Sequence, residues 1–510
     1  MPASTFAAIP DTVQPSSVED AERLNNVSPV GWRNPKPLSV YHLLVIGAGP
    51  AGLVAARAAA ALGADVALVE RHQIGGDCLN DGCIPSKSLI RTGRLLADMR
   101  NATNFGAVPP AEFAFDFRAA MLRMRRITAR ISRNDSAMNL ARAGIHLFFG
   151  TARFTGADTV DVDGTALRFK KAMIATGSRS MLPDVPGLAE AGFLTNETVF
   201  DLRVLPKSLL VIGGGPLGCE LAQVFARFGS RTLISHSEPL FLPLEERDAA
   251  QMVSDALARD GVEIHLNSIA TKVWMEGGQK VVELVNDGNT ATTRVDHILT
   301  GIGRVPAVHG LNLEAAGVAW SAEAGVHVDD FLRTSNPRIF AAGDVCLETR
   351  FTNTAAASAR IVVRNALFLG RERMSALTIP WCTYTDPEVA HVGLYVKEAR
   401  QRRIPVKTFT IPMHDVDRAI TDGEEYGFVK INVREGSDKI LGATIVARHA
   451  GEMINSISLA MVAGIGLREL AHVVQAYPTQ GAAIRQAADA CVRTRLTPQK
   501  FRLARRWLRR

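Results

Sequence analysis

The fold is decided by the stretch HLLVIGAGPAG at residues 42–52 and by its near copy SLLVIGGGPLG at residues 208–218. In each copy an apolar run leads into the pattern G-x-G-x-x-G, which opens a helical segment and then a second apolar run. This order is typical of a strand–turn–helix–strand unit, whose two strands are parallel. The sequence therefore predicts an α/β fold with two Rossmann-like domains.

The first copy has the composition of a site for the adenosine half of FAD. Gly47 allows the tight turn, Gly49 lets the backbone approach a pyrophosphate, and Gly52 lets helix and strand pack closely. The helix that follows presents its partly positive N-terminus to the phosphates. Glu70 ends the second strand, where a carboxylate accepts hydrogen bonds from a ribose diol.

The second copy, with Gly213, Gly215 and Gly218, predicts the site for a nicotinamide nucleotide. His236 stands where the first copy has its acidic residue, and Arg231 lies on the same strand. Without a carboxylate that would repel a 2′-phosphate, the sequence favours NADPH, and NADH stays open. The alternative is a glycine turn in a protein that binds no nucleotide, which two aligned copies disfavour.

A cysteine pair lies between the two glycine turns, in the stretch GGDCLNDGCIPSK at residues 75–87. The spacing of Cys78 and Cys83 is not that of a structural zinc site, and no second pair completes four ligands, so no metal site is predicted. In a reducing compartment a close cysteine pair is more often redox-active. The remaining four cysteines are scattered and are interpreted as packing residues: Cys219, Cys346, Cys382 and Cys491.

The cysteine stretch resembles the active-site helix of the pyridine nucleotide–disulfide oxidoreductases, which include dihydrolipoamide dehydrogenase, glutathione reductase and mercuric reductase. The resemblance covers roughly residues 41–490, and the family's other motifs recur in order. They are Ala175-Thr176-Gly177, GIGRVP at 301–306, Ala341-Ala342-Gly343-Asp344 and YTDPEVA at 384–390.

The resemblance implies roles for individual residues. Cys83 is expected to be the charge-transfer thiol nearer the flavin, and Cys78 the interchange thiol that attacks the acceptor. Lys87 is expected beside the flavin, paired with Glu220, and a helix beginning near Cys83 would stabilise its thiolate. The other expected cofactor contacts are Gly76, Thr176, Gly177, Arg304, Gly343 and Asp344 for FAD, and Gly301 for the nicotinamide nucleotide.

The C-terminal part departs from the family pattern. Disulfide reductases of this family have a His-Pro-Thr motif with a Glu five residues after the His, and here Tyr477 and Ala482 stand at those positions. Tyrosine titrates near pH 10 and is a poor base at neutrality, which puts dithiol chemistry in doubt. Mercuric reductase resembles this chain in having Tyr there, yet it also has a C-terminal cysteine pair, whereas Cys491 is alone.

Composition limits the remaining possibilities. Apolar residues make up 47% of the chain and charged residues 21%, no apolar run is long enough to span a bilayer, and the start lacks the pattern of a signal peptide. A cytoplasmic protein is therefore expected. Residues 491–510 hold eight basic residues and no acid, which accounts for the whole net charge of +7. No basic patch with interleaved aromatics predicts nucleic-acid binding.

We predict a homodimer that acts on a small-molecule electron acceptor. Each chain is divided into six segments. The segments are a disordered extension at 1–38, an FAD domain at 41–185, an NAD(P) domain at 186–300, a returning FAD segment at 301–372, an α+β dimerisation domain at 373–490 and a basic amphipathic tail at 491–510.

Three alternatives stay open for the function. They are a mercuric reductase using Cys78 and Cys83 alone, a membrane-surface NAD(P)H:quinone reductase docked by the tail, and a partner-binding flavoprotein with vestigial cysteines. The tail itself is either a membrane contact or an extension that is solvated or packed on its own dimer.

Overall fold

The computed structural model describes residues 17–108, 114–368, 370–495 and 498–509. The first third of the chain contains one parallel α/β unit and the helices that carry the cysteine pair. Its elements are α1 (Val18–Val27), β1 (Tyr41–Ile46), α2 (Pro50–Ala61), β2 (Val66–Glu70), α3 (Gly76–Asn80), α4 (Cys83–Arg100), α5 (Phe117–Ser132), α6 (Ala137–Arg142), β3 (Ile145–Phe149), β4 (Ala152–Gly156), β5 (Thr159–Val162), β6 (Thr165–Ile174), β7 (Ser178–Ser180) and α7 (Leu188–Ala191).

The second glycine copy opens a second parallel sheet, in the strand order β10-β9-β8-β14, with an antiparallel meander β11-β12-β13 beside it. Its elements are β8 (Ser208–Ile212), α8 (Pro216–Phe228), β9 (Arg231–Ser235), α9 (Arg247–Arg259), β10 (Val262–His265), β11 (Ser268–Glu276), β12 (Gln279–Asn286), β13 (Asn289–Val295) and β14 (His297–Thr300). Every residue of β8 is buried, which explains its unbroken apolar sequence.

The chain then returns to the first sheet through β15 (Arg304–Pro306), β16 (Trp320–Ser321), β17 (Gly325–Val326), β18 (Ile339–Ala341) and α10 (Thr352–Leu367). Strand β18 pairs in parallel with β6, so the first parallel sheet runs β3-β2-β1-β6-β18, and β6 also continues into antiparallel β5 and β4. Helix α10 packs against α2, which brings the returning segment to the first glycine turn.

The C-terminal domain is a five-stranded antiparallel sheet in the order β19-β20-β23-β22-β21, covered by helices. Its elements are β19 (Pro380–Thr383), β20 (Glu388–Gly393), α11 (Val396–Gln401), β21 (Val406–Pro412), α12 (Asp417–Asp422), β22 (Phe428–Arg434), β23 (Ile440–Ala447), α13 (Ala450–Val462), α14 (Ala482–Arg493) and α15 (Pro498–Trp507). Short 3-10 helices lie at Ala102–Phe105, Val199–Asp201, Leu313–Ala316, Gly343–Val345, Met374–Ala376, Met413–Asp415 and Glu469–His472. The predicted class, two Rossmann-like domains and a C-terminal α+β domain, is confirmed.

The prediction of a disordered extension over residues 1–38 is wrong for residues 17–38, and residues 1–16 lie outside the described chain. The six prolines that suggested disorder flank helix α1 rather than interrupt it. Ser17 caps α1 by accepting a hydrogen bond from the Asp20 N–H, and Val27 is completely buried in the core of the first domain. Ion pairs from Glu19 and Glu22 to arginines of α5 hold the outer side of the helix.

The basic tail contains helix α15, with Trp507 and the adjacent Leu508 strongly exposed. Within the described residues, none of the helices has the length and apolar character needed to cross a membrane.

Candidate redox and nucleotide-binding site

The first glycine turn is packed so closely that side chains have no room there. A Cβ on Gly52 would lie 1.8 Å from the Gly47 carbonyl oxygen, and a Cβ on Gly76 would lie 3.0 Å from the Gly49 Cα atom. Helix α2 begins at Pro50, directly after the turn, so its free N–H groups face the same space. The turn and the cysteine loop therefore meet at a backbone cradle suited to a pyrophosphate.

Glu70 lies at the end of β2 beside this cradle. Its carboxylate accepts hydrogen bonds from the Ala48 N–H at 2.7 Å and the His72 N–H at 2.8 Å. Burial raises the pKa of Glu70, and the two backbone donors oppose that rise. The carboxylate is thus fixed at the strand end, the position where the sequence predicted a ribose contact.

The returning segment reaches the cysteine loop through a hydrogen-bond chain. Ser178 donates to the Asp344 carboxylate at 2.7 Å, and Arg304 donates to the Ser178 hydroxyl at 2.7 Å and to Asp77, next to Cys78. Gly343 packs against α2 and α10, where a Cβ would lie 3.2 Å from that of Ala355.

The ATG motif joins the same region. The Thr176 hydroxyl donates to the Ala307 carbonyl at 2.7 Å, and Gly177 accepts from the Ala307 N–H. Sequence reasoning missed Ser178 and Asp77, although both are direct neighbours of residues that it singled out. Three features of these residues fit FAD. They are the glycine cradle, the fixed Glu70 carboxylate, and Asp344, which lies where the returning segment reaches the cysteine loop.

The two cysteines lie on consecutive helices. Cys78 is in the single turn α3, and Cys83 is the first residue of α4, as expected for a helix beginning near Cys83. Each thiol shifts the pKa of the other, and the Cys83 Sγ lies 3.5 Å from the Thr352 Oγ1 at the start of α10. Sequence spacing offered no signal for Thr352, which is far away in the chain.

The pair is electrostatically asymmetric. The hydrogen bond from Cys78 lowers the pKa of Cys83 to about 6, with further help from Thr352 and the Lys87 charge against the effect of burial. The pKa of Cys78 is raised, first by its hydrogen bond with Cys83 and then by burial. In the reduced pair, Cys83 is therefore the thiolate at neutral pH and Cys78 the thiol that supports it.

Lys87 and Glu220 form the ion pair that the sequence predicted, with 2.8 Å between Nζ and Oε2. The other Glu220 oxygen accepts the Tyr384 N–H at 2.8 Å, and the Lys87 ammonium lies 4.6 Å from the centre of the Tyr384 ring. Burial alone would lower the pKa of Lys87, and the Glu220 carboxylate more than offsets it, so that the pKa is raised overall. Lys87 therefore stays a cation, one helical turn after Cys83.

The second glycine turn repeats the close packing of the first. A Cβ on Gly213 would lie 2.4 Å from the Gly301 carbonyl oxygen, and one on Gly218 would lie 2.2 Å from the Gly213 oxygen. His236, one residue past β9, accepts a hydrogen bond from the Gly214 N–H at its Nδ1, at 3.3 Å. Gly215, the N-cap of α8, lies in the same turn.

Arg231 does not belong to this site, so that prediction is wrong. It is the first residue of β9 and is paired in register with Ser208, whereas the glycine turn follows the opposite end of β8. Its guanidinium forms an exposed ion pair with Glu263, 3.1 Å apart. A five-residue strand is roughly 15 Å long, so Arg231 and His236 lie at opposite edges of the sheet.

Tyr477 lies in the C-terminal domain and is strongly exposed. Its hydroxyl donates to the Asp417 carboxylate at 2.9 Å, and this hydrogen bond raises the pKa of Tyr477. Exposed apolar side chains from the same domain are Ile420, Leu459, Val462 and Val474. A surface of this kind is suited to an interface between subunits.

The fold and the site define a two-nucleotide flavoenzyme with a redox-active cysteine pair. The chain matches the pyridine nucleotide-disulphide oxidoreductase family over residues 41–360 and the dimerisation domain of that family over residues 379–488. It therefore belongs to the pyridine nucleotide-disulphide oxidoreductases, whose members bind FAD and take NAD(P)H as electron donor. The dimerisation domain supports the predicted homodimer.

Similar proteins fall in two groups of this family. A mercuric reductase of Lysinibacillus sphaericus is 33% identical over 477 residues, covering 93% of this chain and 86% of the relative. A dihydrolipoyl dehydrogenase of Thermus scotoductus is 32% identical, covering 89% of this chain and 98% of the relative.

Among solved structures, the HOCl-induced flavoprotein disulfide reductase RclA of Escherichia coli, determined as a Cu(II) complex, is also similar. It has 29% identity and a TM-score of 0.78, over 87% of this chain and 99% of that one.

Proposed function

We propose that this enzyme passes two electrons from NAD(P)H through FAD to the Cys78–Cys83 disulfide, and from the reduced pair to an acceptor that needs no acid–base partner. FAD, when bound, accepts hydride and relays the electron pair. Reduction breaks the S–S bond and leaves a Cys83 thiolate and a Cys78 thiol, and the thiol proton is the one that the hydride brings in.

The Cys83 environment supports the first half of this proposal. A pKa of about 6 makes Cys83 the stable thiolate of the reduced pair, as a charge-transfer thiol requires. The Lys87 cation and the Thr352 hydroxyl assist that charge. Cys78 is then left as the thiol that meets the acceptor.

The observation that carries the choice of acceptor is the Tyr477–Asp417 hydrogen bond. A dithiol substrate needs a base to form its thiolate and an acid to protonate the thiol that leaves. Tyr477 is poorly suited to that work because its pKa is raised further by Asp417, and Ala482 supplies no carboxylate. Acceptors that take electrons without proton transfer from the enzyme avoid this limitation.

A thiol-bound Hg(II) ion is the acceptor that we place first. The mercuric reductases that resemble the chain bear that name for their substrate, and two cysteine sulfurs suit a soft metal ion as substrate. One NAD(P)H and one Hg(II) would yield NAD(P)⁺, a proton and Hg(0), with the disulfide formed again. Delivery would use Cys78 and Cys83 alone, because Cys491 is buried in α14 and has no neighbouring cysteine in sequence.

The test combines spectra with an acceptor screen. Two-electron reduction should produce a long-wavelength charge-transfer absorbance, which Cys83→Ser abolishes and which Cys78→Ser shows even without reductant. A wild-type enzyme that goes directly to fully reduced flavin with no such band would refute the cysteine assignment. NAD(P)H oxidation with Hg(II)–thiol complexes should exceed that with lipoamide or oxidised glutathione, and the reverse order would refute the choice of acceptor.

A second candidate, an NAD(P)H:quinone reductase on a membrane surface, is favoured by the tail. Trp507 and Leu508 are strongly exposed at the end of a helix whose arginines include Arg505 and Arg506, and the last twenty residues hold no acid. Such a helix suits an anionic bilayer surface. Deleting 497–510 should lower binding to anionic vesicles while turnover with a soluble acceptor is kept, and equal binding with and without the tail would refute the idea.

A further inference from the structure

Helix α1 lies before the region that matches the family, yet it contacts the cysteine loop directly. The Val27 carbonyl accepts the Ile74 N–H at 2.9 Å, just before the turn that starts α3. Val27 also shares its buried core with Ile74 and Leu79, and Leu79 follows Cys78. The end of α1 therefore supports the chain on both sides of the glycines that precede Cys78.

Arg23 makes the second contact between α1 and this loop. Its guanidinium is only 13% exposed, and one nitrogen donates both to the Gln73 side-chain oxygen at 2.5 Å and to the Asn80 side-chain oxygen at 2.8 Å. Asn80 lies between the two cysteines in sequence and is itself buried. The Arg23 Nε also lies 3.8 Å from the Asp20 carboxylate, so Arg23 links the amide groups at the two ends of α3 to its own helix.

Asn80 passes this contact to the backbone that carries Cys78. Its Nδ2 donates to the Ile74 carbonyl at 3.1 Å and to the Gly76 carbonyl at 3.0 Å, so both hydrogen bonds tie the last residue of α3 to the backbone at its start. A five-residue helix has little stability of its own, because most of its backbone groups have no partner within the helix. Its position therefore depends on side chains such as Asn80, and Asn80 is oriented by Arg23.

We propose that helix α1 positions the interchange thiol, with Arg23 acting through Asn80 to hold α3 so that Cys78 stays in place beside Cys83. Arg23 is a positioning residue, since it contacts neither sulfur. The inference rests on the proposed role of the cysteine pair. It predicts that replacing Arg23 changes the relative reactivity of the two thiols and the pKa of Cys83, and not only the stability of the fold.

The test compares Arg23→Met with Glu22→Gln in the full-length FAD-loaded enzyme. Glu22 is the matched control because it lies on the same helix but forms its ion pair with Arg133, directly after α5 and 2.5 Å away, rather than with the cysteine loop. The reduced proteins are treated with iodoacetamide, and labelling of Cys78 and Cys83 is followed separately by peptide mass spectrometry. The charge-transfer absorbance is titrated with pH in parallel, and flavin content and melting temperature are recorded.

In Arg23→Met, Cys78 should be labelled about tenfold faster relative to Cys83, because α3 is held less firmly and Cys78 moves away from Cys83. The midpoint of the charge-transfer absorbance should move up by about one pH unit, which corresponds to about 1.4 kcal/mol, since Cys83 loses the strongest group that lowers its pKa. Glu22→Gln should match the wild type in both measurements. Arg23→Lys, which keeps the charge on a shorter side chain, should fall between them, and the comparison uses Arg23→Lys if Arg23→Met does not retain flavin.

Two results distinguish failure of the positioning role from failure of the proposed function on which it rests. A charge-transfer band in the wild type, with labelling rates and midpoint unchanged in Arg23→Met, would overturn the positioning role and leave the function standing. Absence of the band in the wild type would overturn the proposed function. The labelling ratio would then still decide the role of Arg23, because it needs no electron transfer.

Discussion

Replacing Lys87 with methionine tests how the site stabilises the Cys83 thiolate. Lys87 follows Cys83 by one turn of α4, so its charge is expected roughly 6 Å from the sulfur. At an effective dielectric constant of about 20, a charge at that distance contributes roughly 3 kcal/mol, or about two pKa units. The Lys87 side chain is 34% exposed, and screening by solvent reduces this to about one unit.

Glu220 adds to the effect of the substitution. It is only 3% exposed, and without Lys87 its negative charge acts on Cys83 with no ion-pair partner, only the Tyr384 N–H. The pKa of Cys83 should therefore rise from about 6 by about one to two units in Lys87→Met. In Lys87→Met with Glu220→Gln both charges are absent, and the rise should be smaller.

The assay is a pH titration of the charge-transfer absorbance of the two-electron-reduced enzyme under anaerobic conditions. The band requires the thiolate, so it disappears below the pKa of Cys83, and a raised pKa moves its loss to higher pH. Lys272→Met, which removes an exposed lysine of β11, serves as the control and should keep the wild-type midpoint. A midpoint in Lys87→Met equal to that of the wild type would refute the reasoning, as would a larger rise in the double variant than in the single one.

Three further predictions concern other residues. Tyr477→His combined with Ala482→Glu should raise turnover with dihydrolipoamide several-fold by supplying an acid–base pair, and steady-state rates that stay at the wild-type level would contradict this. His236→Glu should raise the ratio of kcat/KM for NADH to that for NADPH, because a carboxylate at the strand end repels a 2′-phosphate; an unchanged ratio would place nucleotide selection elsewhere. Burial, with help from Asp77, raises the pKa of Asp81 to about 8, so the folded protein holds this proton more tightly and loses stability from about pH 4 to about pH 8. Asp81→Asn should therefore melt at a higher temperature than the wild type at pH 8 and differ little at pH 4, and equal melting curves at pH 8 would exclude an unfavourable buried charge.

Local sequence determined the parts of this protein whose chemistry is set by neighbours in the chain. The glycine spacing predicted both nucleotide turns, and part of the reason is local: Gly52 and Gly218 are each required by the carbonyl oxygen of the glycine five residues earlier, Gly47 and Gly213. The helix start at Cys83 was predicted by the family resemblance of the cysteine stretch and is confirmed. The ion pair of Lys87 with Glu220 was predicted by family resemblance, since no local rule joins two residues so far apart.

Only the tertiary structure decided the contacts that depend on direction and on distant partners. Arg231 was assigned to the nucleotide site from its strand, but register places it at the far edge of the sheet with Glu263. Proline content suggested disorder for the N-terminal segment, yet the surface of α5 and the cysteine loop give α1 the burial and ion pairs that it lacks alone. A short helix is marginal in isolation and gains its stability from the surface that it packs against, and that surface exists only once residues distant in sequence have come together.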